Sequence, residues 1–542
     1  MQCLWPTEVN CMDIGLFFCR GHGPDGRTID VDALAQKFAK DGQVSVHEHV
    51  CLTEAQRELL GKVERGEIDG VVLATCSPGH YGNSLHRIIL QRLRAVGMNR
   101  NRIGFANLRE QVVGPHRDDP EGAMRKARLL VQVALERVRL SHPMDSTEIA
   151  PRRVVLVVGA TTGGILAAHR LVTKGYKVHL IDERPREAAL KRVHVEDLPI
   201  AALDDDPRMT FHFGHSLTDA NGWAGDFAVE VSNSDGKRWL NVGAVVVAVR
   251  EQDDPALAQR IHELLLVELG MDGTLRPLNS TTLFTETREP GVFLVREDDV
   301  DETTRLRTAA MRADSAVTAL SMLLDRNEVF HDIAITEVNP DLCGACGTCV
   351  KTCAFHAASI DAKRDVATVD TRRCKACGNC VTACPAAARD LVTYPHHYLL
   401  RAIETLSQYP SNGDPKVLCL LCDSCGYPAA DDAGTKGLQY PASVLPLNIC
   451  CGGRMDTQYL LYAFKQGFDG IFVGRCHDDH CRNIVGNTDM DRRMDLFRAS
   501  LRARRINPER VRIWGLSPNE GEQYAEQVND FCAYLREQRG GD

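Results

Sequence analysis

Short uninterrupted apolar runs alternate along this chain with stretches whose apolar positions return every three or four residues, the pattern of buried strands interleaved with helices. GLFFC (15–19) and DGVVLATC (69–76) read as buried strands ending in cysteine, and Met124, Ala127, Val131, Ala134, Leu135 and Val138 share one helical face. Residues 12–148 therefore predict a small α/β domain. The polar, proline-bearing SHPMDSTEIAPRR (141–153) reads as a linker. VVLVVG (154–159) then enters a glycine-rich turn and helix, and GYKVHLID (175–182) is the next strand, which makes a βαβ unit. That second domain extends over 153–330, with strands at AVVVAV (244–249) and GVFLV (291–295) and a last helix near 303–324. A cysteine-dense insert over 335–395 follows. The turn-rich YPSNGDP (409–415) leads into a final α/β domain over 416–542. No repeat of roughly 20–50 residues recurs except within the insert.

The 542 residues suffice for about three or four such units. With 44% apolar and 25% charged residues, a disordered or collagen-like chain is excluded. The net charge of −9 gives no support to non-specific nucleic-acid binding, which needs clustered positive charge. There is no apolar run of about 18 residues and no basic stretch followed by an apolar one, so a cytosolic location without a transmembrane segment is expected. Cysteine is the informative residue type. Of 21 cysteines, five lie before residue 77, none lies in 77–342 and sixteen follow. In a reducing compartment, clusters of that kind point to metal ligation rather than disulfides.

Cys343, Cys346, Cys349 and Cys353 follow C-x2-C-x2-C-x3-C, and Cys374, Cys377, Cys380 and Cys384 repeat it, with Pro385 after the last. Three thiolates at this spacing wrap three irons of one cubane, while the fourth of each run reaches the other cluster. Two [4Fe–4S] clusters are expected, one on Cys343, Cys346, Cys349 and Cys384 and one on Cys374, Cys377, Cys380 and Cys353. Zinc is the alternative, but it needs four ligands and leaves no use for eight in this doubled order. Ala354 stands where such runs usually carry proline, a mild departure because proline shapes the turn and is no ligand. SIDAKRDVATVD (359–370) between the runs suits a hairpin.

In the last domain Cys422 and Cys425 form C-x2-C, Cys450 and Cys451 close a predicted strand, and Cys476 and Cys481 form C-x4-C after another. Thiols at the carboxyl ends of neighbouring parallel strands converge on one sheet edge. Spacing alone leaves a [2Fe–2S] cluster and zinc both open there. CDSCGYPAADDAG, CGGRMDTQYLLYAFKQGFDGIFVGRCHDDHC and RIWGLSPNEGEQYAEQVNDF resemble the delta subunit of methyl-viologen-reducing hydrogenase over 416–535. The resemblance implies a [2Fe–2S] cluster on the matching Cys422, Cys425, Cys451, Cys476 and Cys481, with Cys419 and Cys450 as extras; Cys532 reads as a buried small side chain. GLFFC, VDALAQKFAK, CSPGH, ANLREQVVGPH, the βαβ unit and the insert resemble the A-type subunit of heterodisulfide reductase, a family of iron–sulfur flavoproteins.

That second resemblance implies FAD in 153–330, held through Gly159, Gly164 and Asp182. The residues argue for loss of the flavin. Thr161 replaces the middle glycine of the turn, where a Cβ crowds the pyrophosphate. The family's glycine pair after Asp182 is replaced by the Arg184–Arg186 region, its Ala-Thr-Gly reads Ala248-Val249-Arg250, and its final flavin contact reads Val295-Arg296-Glu297. The N-terminal domain of that family carries a further iron–sulfur cluster, and Cys19, Cys51 and Cys76 match its positions. Gly21 and His22 stand where its second cysteine is expected, so Cys3, Cys11 or a histidine would supply the fourth ligand; otherwise all five are packed thiols. His22 and His80 read as surface or turn residues.

The expected fold class is α/β and multidomain, with Rossmann-like parallel-sheet domains, a bacterial-type two-cluster ferredoxin insert and a C-terminal α/β iron–sulfur domain. The expected role is electron relay without substrate chemistry of its own. Its partners would be redox subunits of hydrogenase, formate dehydrogenase or heterodisulfide-reductase B or C type, and contact with a membrane would come through those partners. The alternatives are a flavin-containing oxidoreductase component, electron-bifurcating or quinone-linked, and a zinc-stapled assembly factor.

Overall fold

The computed structural model describes residues 12–21, 28–77, 84–193, 198–250, 254–269, 272–277, 285–287, 289–297, 304–333, 335–410, 413–478 and 480–539. They form two compact units, Met1–Asp145 with Ala334–Asp542, and Ser146–Ile333. The first unit thus pairs N- and C-terminal parts of the chain that are separate stretches in the sequence. The cause of this pairing is one continuous apolar cluster that runs from Leu16 and Leu135 through Leu399 and Leu406 to Leu420, Tyr459 and Phe468.

The first unit contains two parallel four-stranded sheets. One is ordered Gln43–His47, Ile14–Cys19, Gly70–Thr75, Ile103–Asn107, and the other Val444–Ile449, Val417–Cys422, Gly470–Cys476, Val511–Leu516. Both therefore follow the order second, first, third, fourth. In each, the third strand leads through a helix, Ser84–Ala95 or Gly486–Ala503, to a 3-10 turn capped by an asparagine side chain, Asn99 or Asn507, and so into the fourth. Both first strands are buried throughout, as parallel strands covered on two faces must be.

Between the sheets in sequence lies the cysteine-dense segment. Thr336–Val338 pairs with Arg389–Leu391, and Ala358–Asp361 with Val366–Val369, both antiparallel. The second pair is the hairpin expected between the runs. Left-handed backbone recurs at matching places, at Ala345 and Ala376, Gly347 and Gly378, and His356 and Ala387. Each run thus turns tightly around a centre before a short helix, Thr348–Thr352 or Asn379–Thr382.

The second unit carries a parallel five-stranded sheet ordered Val292–Leu294, Ala244–Val247, Val154–Val158, Lys177–Asp182, Met209–Phe213. An antiparallel sheet of Ser216–Trp223, Asp226–Asn233 and Gly236–Val242 adjoins it in sequence. The stretch read as a linker contains strand Ser146–Ile149, which pairs with Val329–Asp332, so the unit's entry and exit lie side by side. Among the described residues no helix is long and apolar enough to cross a membrane.

Candidate iron–sulfur centres and the nucleotide turn

In the C-terminal sheet, Cys422 and Cys476 end adjacent parallel strands, which puts their sulfurs 3.9 Å apart. Cys425 opens the following helix, Gly426–Thr435, and the thiols of Cys422, Cys425 and Cys476 all lie within 4.8 Å of one another. The Cys481 thiol is in hydrogen-bond contact with both Cys476 and Cys451. Cys451 stands at the start of the 3-10 turn Gly452–Arg454. Five thiols are thereby brought into one cage, four of them buried and that of Cys425 half-buried. Neighbouring thiols hydrogen-bonded to Cys422 and Cys481 hold both well below the usual thiol range, while the same bonds, with burial, hold Cys451 and Cys476 well above it. Backbone N–H groups of Gly426 and Gly453 point at Cys422 and Cys451 Sγ, at 3.3 and 3.4 Å. Such a cage offers soft anionic donors and dipoles suited to a thiophilic metal centre.

Gly486 is a site residue that the sequence did not disclose. A Cβ there would lie 2.4 Å from Cys451 Sγ and 3.2 Å from Cys481 Sγ, so only glycine lets both thiols approach. The remaining cysteines behave differently. Cys450 directs its thiol to the Cys377 carbonyl at 3.6 Å, and Cys419 and Cys532 pack in the apolar cluster behind the sheet, where burial pushes each thiol up to about 12.

In the ferredoxin-like segment, Cys353, Cys374, Cys377 and Cys380 line one cavity together with Arg389. Cys343 and Cys384 are the run-end thiols beside Cys349. The fourth cysteine of each run thus neighbours the other run. Amide groups of Ala357, Ala367 and Ala388 donate to Cys353, Cys343 and Cys384 Sγ at 3.3, 3.4 and 3.3 Å. The donor set and its amide dipoles fit two cubanes. The second run also docks on the C-terminal cage. Thr382 Oγ1 donates to the Gly453 carbonyl and Asn379 Nδ2 to Asp489, each at 2.9 Å.

Cys19 ends strand Ile14–Cys19, Cys76 directly follows Gly70–Thr75, and Cys51 lies in the loop beyond Gln43–His47. The Cys19 thiol is close enough to feel both others, and burial raises it and pushes Cys76 up to about 12. Cys3, Cys11, His22 and His80 lie outside the described residues.

The nucleotide turn is filled by the chain itself. Helix Thr162–Thr173 starts where a pyrophosphate would sit in a dinucleotide fold. Its Gly163 N–H instead donates to Glu297 Oε1 at 2.6 Å, and Thr161 Oγ1 accepts from Gly164 N at 3.2 Å. Arg250 binds the other Glu297 oxygen at 3.2 Å through Nε and Nη2. Glu297 is buried, so its carboxylate replaces a phosphate at the positive end of the helix. The glycines have internal reasons too. A Cβ on Gly159 would lie 2.1 Å from the Ala248 oxygen, and one on Gly164 would lie 2.2 Å from that of Gly159. Asp182, where a ribose would bind, accepts from Ala160 N at 2.9 Å through Oδ2, and from Arg184 N and Nε at 3.0 and 2.9 Å through Oδ1. These residues do not fit FAD.

The family model of the methyl-viologen-reducing hydrogenase delta subunit matches residues 417–538, and that of a 4Fe-4S dicluster domain matches 342–388. The iron-sulfur D-type subunit of the F(420)-non-reducing hydrogenase of Archaeoglobus profundus is 37% identical over 123 residues, 23% of this chain and 90% of that protein. The chain belongs to the hydrogenase delta-subunit family. Its delta-subunit part is joined to a part similar to the A-type subunit of heterodisulfide reductase. The A-type subunit of the ferredoxin:CoB-CoM heterodisulfide reductase of Methanosarcina mazei is 31% identical over 232 residues, 43% of this chain and 29% of that protein. That of the H(2):CoB-CoM heterodisulfide,ferredoxin reductase of Methanothermobacter marburgensis is 31% identical over 175 residues, 32% of this chain and 26% of that protein. The chain therefore spans less than a third of the length of these two reductase relatives.

Proposed function

We propose that the protein is the iron–sulfur electron-transfer subunit of a heterodisulfide-reductase-like complex. It would relay single electrons between a hydrogenase or dehydrogenase module and a second redox subunit. Cys343, Cys346, Cys349 and Cys384 would hold one [4Fe–4S] cluster, Cys374, Cys377, Cys380 and Cys353 the other, and a [2Fe–2S] cluster would sit in the cage of Cys422, Cys425, Cys451, Cys476 and Cys481. When bound, such clusters supply reversible one-electron chemistry. The single observation that carries the reading is the docking of the second run on the C-terminal cage, through Thr382, Asn379 and the Cys450–Cys377 contact. It supports a series of three thiolate centres within one unit. Residues 153–330 act as a flavin-free scaffold in this reading, supported by the Glu297 carboxylate at the helix start. The thiolates, amide donors and burial set the potentials. Substrate chemistry belongs to the partners.

Electron paramagnetic resonance of the anaerobically reduced protein tests this. We expect a spin-coupled pair of cubane signals beside a slower-relaxing [2Fe–2S] signal, the latter alone lost in Cys476→Ala. One uncoupled signal, or loss of all three in that variant, would overturn the series arrangement.

A further inference from the structure

The ferredoxin-like segment is symmetric in backbone but not in charge. Five residues after the fourth cysteine of the first run stands Ala358, and five after that of the second stands Arg389. Arg389 is 4% exposed. Its Nη1 donates to Cys380 Sγ and to Thr336 Oγ1, each at 3.1 Å, and Nη2 to the Thr368 carbonyl at 3.4 Å. None of these partners is a carboxylate, and Nε is buried without a partner. On another side of the same run, Arg454 is fully buried with its stem against Gly378, where an added Cβ would meet its Cδ at 2.5 Å. Arg454 Nη2 donates to Asp390 and to the Tyr394 carbonyl, at 3.2 and 3.3 Å, while Nε and Nη1 have no partner.

Buried donors without acceptors are rare, and a buried cation without an anion is strongly disfavoured. Both conditions are relieved by an anionic iron–sulfur centre, whose thiolates and sulfides accept hydrogen bonds. Taking up an electron adds negative charge, and an uncompensated cation in a low-dielectric site favours that form. We propose that Arg389, whose charge no carboxylate offsets, makes the cubane on Cys374, Cys377, Cys380 and Cys353 the higher-potential member of the ferredoxin pair. The shared electron then rests beside the C-terminal cage rather than at the first run. The inference rests on the two-cubane reading above.

The test uses full-length anaerobic protein grown with [15N]arginine and reduced by one electron per ferredoxin pair. Pulsed electron–nuclear double resonance is expected to show 15N coupling at the cluster reduced first. In Arg389→Met, potentiometric titration is expected to lower the reduced-to-oxidised ratio of that cluster at least tenfold at fixed potential, a 59 mV shift. Arg389→Lys, which keeps the charge, is expected to recover part of it. A first-reduced cluster without 15N coupling overturns the inference, as does an unshifted midpoint in the methionine variant. If that variant fails to load iron, the labelled wild-type protein decides alone. Finding two cubanes without the coupling defeats this inference only, whereas finding no cubane pair defeats the proposed function with it.

Discussion

Replacing Glu297 by alanine empties the helix start that its carboxylate now fills. The change removes a 2.6 Å bond from Gly163 N and the carboxylate partner of Arg250, whose side chain is 16% exposed against 1% for Glu297. Breaking a largely buried ion pair from one side costs about 3–5 kcal/mol, and the helix dipole adds to the loss. Taking about 3 kcal/mol, and about 2–4 °C per kcal/mol for a unit of this size, the transition of the 146–333 unit should fall by about 6–12 °C. The vacated site should then accept an anion. Phosphate at about tenfold its Kd returns about 1.4 kcal/mol, or roughly 3–6 °C, to the variant and nothing to the wild type. Scanning calorimetry of the full chain, with and without phosphate, measures both effects. A variant as stable as wild type, or a wild type stabilised by phosphate or FAD as much as the variant, would refute the self-filled turn.

Gly486→Ala should lose the C-terminal iron, about two atoms per chain, and leave the cubane signals intact, because the new Cβ meets Cys451 Sγ at 2.4 Å; metal analysis with paramagnetic resonance checks this. Lys126 is buried, and burial lowers its pKa to about 7, below its unfolded value, so the unfolded chain binds the extra proton and stability should rise from about pH 7 towards 10. Lys126→Met should flatten that rise in denaturant titrations, and an unchanged slope would contradict the assignment. Asp431 is a buried acceptor for Ser77, Asn107 and Gln111 of the N-terminal sheet region, so Asp431→Ala removes three buried hydrogen bonds and should cost about 3 kcal/mol. Limited proteolysis should then cut the N-terminal region first, and equal resistance in wild type and variant would sink that reading.

How much of this was legible in the sequence depended on how local each determinant is. The two cysteine runs announce themselves because their spacing is fixed by a few backbone dihedrals, seen at Ala345, Gly347, Ala376 and Gly378. The C-terminal cage is half local: Cys422 and Cys476 could be placed at strand ends, but Gly486 matters only because a distant helix start abuts two sulfurs. The replacements at Arg250 and Glu297 were visible as departures from a nucleotide turn. That Glu297 itself occupies the helix start was not, since the contact joins residues far apart in sequence. The shared path of the two parallel sheets left no readable repeat either, because different apolar residues satisfy the same buried strand positions. The joining of the chain's ends escaped for a related reason. Apolar faces such as that of His396–Ser407 declare burial but not the partner they are buried against.

Iron, acid-labile sulfide and flavin counted in the anaerobically purified protein, with Mössbauer spectroscopy to sort the irons, bear on all three centres at once. About eight irons in cubane environments and about two in a [2Fe–2S] environment are expected, with matching sulfide and no flavin released on denaturation. Zinc in place of iron at the two runs, or stoichiometric FAD, would contradict the flavin-free iron–sulfur relay.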